Sequence, residues 1–158
     1  MDMKDFTKMQ KGSPSRDKFK WLHKQLMPAS CWALDSDLEL IEKSPFPFIV
    51  ARIDFKLFGD GISFTEAISY HQLITQPPPY TIPVYVIVAD RNFKIDEVQH
   101  TSHRFDVWKM TSANYRPDPP IWTGDKVLEQ ASWDELKEWE LELRKQRQAE
   151  MQAIVATY

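Results

Sequence analysis

The sequence predicts an α/β protein, a mixed sheet flanked by helices. Three observations carry that expectation: strict alternation of side-chain character over 48–57, a continuous β-branched apolar run over 82–89, and two helical segments that each open on a serine capping box. The predicted order is helix, two strands, helix, strand, short strands, helix, with no internal repeat and no composition break. The 158 residues therefore read as a lead-in over 1–15 and one domain over 16–158, long enough to bury roughly two thirds of the unfolded surface.

Composition narrows the class. Hydrophobic residues at 42% and aromatics at 13%, six of them Trp, exclude a disordered or low-complexity chain. The lone Cys31 excludes an intramolecular disulfide and any multi-cysteine zinc site, and predicts a buried, inert thiol in a reducing compartment. No apolar run approaches the ~20 residues of a bilayer span, and the charged start lacks a signal-peptide core, so the expectation is a cytoplasmic protein with no membrane partner. Net charge is −3, but residues 1–28 carry +4 and the remainder −7. A basic first segment can meet phosphates, or simply be solvated.

In chain order, Gly12, Ser13, Pro14 and Ser15 close a flexible lead-in. Phe19, Leu22 and Leu26 recur at helical spacing until Pro28, predicting an amphipathic first helix with Arg16, Lys20 and Lys24 on its far face. Residues 31–43 alternate with period two and predict one strand, on which Asp35, Asp37 and Glu39 share a face. Pro45 and Pro47 turn the chain into the next strand, FIVARIDFKL over 48–57, so these two predict an antiparallel hairpin. Ile53 and Phe55 point one way there, and Arg52, Asp54 and Lys56 the other.

Gly59, Asp60 and Gly61 predict the turn out of that strand. Ser63 with Glu66 opens a helix ending near Thr75, before Pro77, Pro78 and Pro79. On it Gln72 shares a spacing with Phe64 and Ile68, which predicts an inward-pointing amide. Residues 82–89 predict a central strand buried on both faces. Residues 95–98 and 105–110 predict a short hairpin with His100 and His103 in its turn, and 114–121 a proline-rich loop. Ser132 with Glu135 opens the last helix, with an apolar stripe through Trp133, Leu136, Trp139, Leu143 and then Met151 or Ile154.

The chemistry concentrates on Asp54 and Lys56. Asp37 precedes Asp54 by 17 residues, a separation that lets a hairpin bring two carboxylates to one end. Two carboxylates, a carbonyl and waters make the oxygen set preferred by Mg²⁺, and a neighbouring lysine can orient an attacking water. The bland alternative is a surface ion pair along a strand. Glu66 is explained by its capping box, His71 by packing or a place at the surface, and His100 and His103 lack a convincing third zinc ligand.

Asp37 or Asp35, then Asp54-Phe55-Lys56, then a helix carrying Gln72, resembles the PD-(D/E)xK superfamily of restriction-endonuclease-like nucleases. The resemblance covers about 16–146 and includes SWDELKEWELELR near the end. It implies an αβββαβ core with a mixed central sheet and a C-terminal helix. It further implies that Asp37 and Asp54, with Asp35 as the alternative, bind Mg²⁺ or Mn²⁺, that Lys56 assists the water, and that Gln72 stands near the site. The nominal proline is missing before the first Asp, and Asp54 stands where Glu is more frequent.

Two expectations follow. The first is a metal-dependent phosphodiesterase that hydrolyses DNA, with the basic first helix and Arg52 contacting phosphates and homodimerisation left open. The second is a catalytically silent relative that keeps the fold as a nucleic-acid-binding or protein-interaction module, favoured by the acidic body of the chain.

Overall fold

The computed structural model describes residues 31–34, 38–59, 61–93, 103–117, 120–122 and 124–157. The elements run β1 (Cys31–Leu34), β2 (Leu38–Glu42), β3 (Phe48–Leu57), α1 (Phe64–Ile74), β4 (Val84–Ala89), β5 (Phe105–Lys109), β6 (Tyr115–Pro117), β7 (Pro120–Trp122), β8 (Asp125–Ala131) and α2 (Trp133–Ala156). Six of the strands form one mixed sheet in the order β1-β2-β3-β4-β5-β8. Among the described strands of this sheet only β3 and β4 are parallel, joined by the crossover that parallel neighbours need, here α1, and the other neighbours pair antiparallel. Among the described residues no helix is long and apolar enough to cross a membrane.

Period-two alternation on β4 divides the interior into two layers. Tyr85, Ile87 and Ala89 join a cluster with Ile53, Phe55, Phe105, Val107 and the α2 residues Trp133, Leu136, Leu143 and Met151. Val84 and Val86 face the other way and pack with Ala67 and Tyr70 of α1 and with Met110. The sheet is thus covered by α2 on one face and α1 on the other, and the expectation of a central strand buried on both faces is met by Val84–Ala89.

Both helix starts are where the capping boxes put them. Ser63 accepts from the Glu66 amide and Ser132 from the Glu135 amide, and each glutamate reaches back to its cap. Gly59, at φ 92°, takes the left-handed backbone that the turn out of β3 requires. The stripe of α2 is not wholly apolar, because Arg147 lies buried between Leu143 and Met151. Its Nε donates to the Val50 carbonyl at 2.9 Å, and Nη2 donates to the carbonyls of Ile49 at 3.2 Å and Thr81 at 3.3 Å. Glu42 of β2 is buried against Arg144 and accepts from Gln148.

Three expectations need correction. The single strand expected over 31–43 is two, with β1 and β2 antiparallel and Leu34 opposite Glu39. Asp35, Ser36 and Asp37 lie between the two strands in the sequence, and the face expected to hold both aspartates falls outside the described residues. The proline-rich loop is a small ladder, β6 against β7, whose Pro117 and Pro120 form its end pair, where a missing amide costs least. β8 was not expected at all. It is a charged, largely exposed edge strand with register shifts against β5, and such strands carry little apolar alternation. The predicted first helix and the strand at 95–98 lie outside the described residues.

Candidate functional site

β3 presents Asp54 and Lys56 to the α1 side of the sheet, level with Val86 and Val88 of the parallel neighbour β4. Neither side chain is a surface group: Asp54 is 2% exposed and Lys56 12%. A buried carboxylate is costly unless it is paired or hydrogen-bonded, and α1 supplies the partners. The Tyr70 hydroxyl donates to Asp54 Oδ2 and lies 3.2 Å from Glu66 Oε2. Lys56 Nζ donates to both oxygens of Glu66, at 2.9 and 2.8 Å, and stands 3.7 Å from Asp54 Oδ2.

Local structure explains why α1 meets β3 here. Glu66 and Tyr70 are four residues apart and therefore share a helix face. The same Glu66 Oε1 accepts the Ser63 amide at 3.0 Å, so one carboxylate both closes the helix start and ties it to the sheet. Arg52, two residues before Asp54 on the same strand face, donates from Nη1 to Ser69 Oγ at 3.3 Å and holds its guanidinium 5.8 Å from the Tyr70 ring centre.

The charges are interdependent. Burial pushes Glu66 up, but a hydrogen bond shared with Asp54, the Lys56 ammonium and the Ser63 amide outweigh it and hold the carboxyl at about 2. Burial and the adjacent Asp54 charge drive the Tyr70 phenol well above its ordinary value, so its proton stays in place as a donor. The cluster sets two carboxyl groups against the Lys56 ammonium, with one phenol bridging them.

The structure brings Asp54 and Lys56 together. Asp35 and Asp37 lie outside the described residues. Gln72 does not point inward: it is exposed, and Ile68 on the same stripe is 41% exposed. The buried face of α1 runs through Ala67 and Tyr70, with Leu73 and Ile74 packed beside them, and at about 100° per residue Gln72 sits roughly 200° from Tyr70. Phasing the helix from Glu66, Ala67 and Tyr70 rather than from Phe64 would have revealed the tyrosine.

The histidines have other surroundings. His71 stacks on Tyr115 with ring centres 4.0 Å apart, while His103 is buried, with Nδ1 3.2 Å from Asp90 Oδ2 and its ring against Phe93. His100 is not among the described residues. Asp54 and Glu66 offer the oxygen donors that a hard divalent cation takes. Among the described residues no group of three His, Cys, Asp or Glu side chains gathers as a metal-binding set.

The chain matches no protein-family model, no curated protein and no solved structure. The reading of the site therefore rests on its own geometry and chemistry.

Proposed function

We propose that the chain is a metal-dependent phosphodiesterase, a nuclease that hydrolyses DNA, built on a restriction-endonuclease-like core. The observation that carries this reading is the shared face of Asp54 and Lys56 on a central strand, with Nζ 3.7 Å from Oδ2 and a second carboxylate, Glu66, in contact with the same ammonium. The succession βββαβ, with β3 parallel to β4 across α1, supports it.

Asp54 and Glu66, together with Asp37 or Asp35, would hold Mg²⁺ or Mn²⁺. When bound, such a cation neutralises phosphate charge and lowers the pKa of its water. Lys56 exchanges a contact with Glu66 for a phosphate oxygen or the attacking water, fixing its position and countering the charge that develops on phosphorus oxygens. Tyr70 keeps Asp54 in one orientation by donating to Oδ2, and Arg52 is placed for a neighbouring phosphate.

The test is nicking of plasmid DNA in Mg²⁺ or Mn²⁺. The native chain should cleave, and Lys56→Ala and Asp54→Asn should not; equal activity in both variants would sink the assignment. One observation favours the catalytically silent reading instead. Lys56 already holds both Glu66 oxygens and Tyr70 already holds Asp54, and such mutual pairing suits a structural cluster in a binding module. Metal-independent DNA or protein binding without cleavage is the outcome that reading requires.

A further inference from the structure

Beside the Asp54 cluster, on the same side of the sheet, lies a cavity of about 280 Å³ lined by Lys56, Ile62, Val86, Val88, Trp108, Met110 and Gly124. Val86 and Met110 are buried, and among the described residues Lys56 is the only charged one in the lining. At about 30 Å³ per water in the liquid, the space suits an organic ring rather than a single solvent molecule, and it falls just below the roughly 300–1,000 Å³ of drug-sized sites.

The strand register sets its composition. Asp54 pairs with Val86, Val86 with Trp108, and Trp108 with Lys126, so one row across four strands runs from carboxylate through aliphatic and indole to ammonium. Lys126 Nζ stands 4.8 Å from the Trp108 ring centre. An apolar hollow with an indole in its wall, one lysine in its lining and a second over that indole matches a flat ring joined to an anion. Gly124 lets this wall pack closely on β5: a Cβ there would fall 2.3 Å from Met110 Cε and 2.8 Å from the Lys109 carbonyl.

We infer that this cavity receives an unpaired nucleobase of single-stranded DNA whose adjoining phosphate meets Lys56. The inference rests on the nuclease reading for the identity of the anion, and it adds a substrate form: a base inside a duplex is stacked and paired on both sides and cannot enter without being extruded. Trp108 is the aromatic group in the lining against which a base can stack, and stacking tolerates any base.

The experiment measures binding of fluorescein-labelled single-stranded oligodeoxynucleotides to the full chain in Ca²⁺ and in EDTA. An intact strand, the same strand with abasic sites and the corresponding duplex are compared, with plasmid nicking followed separately. The intact strand should bind best, with abasic sites and duplex each weaker by roughly 5- to 100-fold. Trp108→Ala and the cavity-filling Ile62→Trp should remove that preference, and Trp108→Phe should keep it. Equal binding of intact and abasic strands by the native chain overturns the inference, even if plasmid is nicked. Base-dependent binding without nicking supports the cavity while defeating the nuclease reading. Absence of any DNA binding overturns it, as it would if another part of the chain filled the space.

Discussion

Lys56 Nζ grips both carboxylate oxygens of Glu66, at 2.9 and 2.8 Å, and Glu66 is the residue that closes the capping box of α1. One side chain thus fixes where a helix begins and how that helix meets the strand carrying Asp54. Stability and any chemistry at this site are therefore coupled.

Glu66→Gln keeps an acceptor for the Ser63 amide but loses the ion pair, whereas Glu66→Ala loses both. Urea unfolding should show Glu66→Ala the less stable of the two, by about 0.5–2 kcal/mol, the usual worth of a helix cap. Equal midpoints would mean that the cap contributes nothing.

The pH dependence has a definite sign. Glu66 is held at about 2, below its ordinary 4.5, so its contribution is present above 4.5 and is lost as pH falls toward 2. The stability advantage of the native chain over Glu66→Gln should shrink across that window. An advantage that is constant from pH 6 to pH 2.5 would refute the pairing.

Tyr70→Phe removes the donor to a carboxylate that is 2% exposed. The cost should be about 1.5–3 kcal/mol, the range for losing a hydrogen bond to a charged group. Combined with Asp54→Asn in a double-mutant cycle, the change should show a coupling of about 0.5–3 kcal/mol, and strict additivity would deny the contact.

Arg147 binds three carbonyls that belong to β3 and to the segment before β4. Arg147→Met should cost more than about 2 kcal/mol, because buried acceptors lose their donor. Arg147→Lys should restore only part, since an ammonium lacks the guanidinium fork. Thermal unfolding of the three proteins orders them.

Gln72→Ala should change stability by no more than about 0.5 kcal/mol and leave DNA cleavage unaltered, because the side chain is exposed and faces away from Asp54. A loss of cleavage comparable to that of Lys56→Ala would restore Gln72 to the site.

Much of the frame was legible because its signals are local. A capping box needs only Ser63 and Glu66, or Ser132 and Glu135, and strand alternation needs only neighbours, so α1, α2, β3 and β4 were each anticipated from short stretches. Residues 31–43 misled for a related reason: period-two alternation continues across Asp35-Ser36-Asp37, and nothing in a periodicity registers that 31–34 and 38–42 pair with one another. β8 was invisible because an edge strand need bury only one side, here chiefly Leu128 and Ala131.

By itself the sequence determined the α/β class, both helix starts, the central apolar strand and the neighbourhood of Asp54 and Lys56, all properties of residues within a few positions of one another. Only tertiary structure decided which helix face covers that pair. Tyr70 and Glu66 reach Asp54 and Lys56 from 16 and 10 residues away, Arg147 reaches Val50 from 97, and Trp108 joins the row beside Asp54 through β4. Such contacts depend on how separate elements are packed, and burial then makes each partner obligatory, because a charge removed from water must find its counterpart inside the fold.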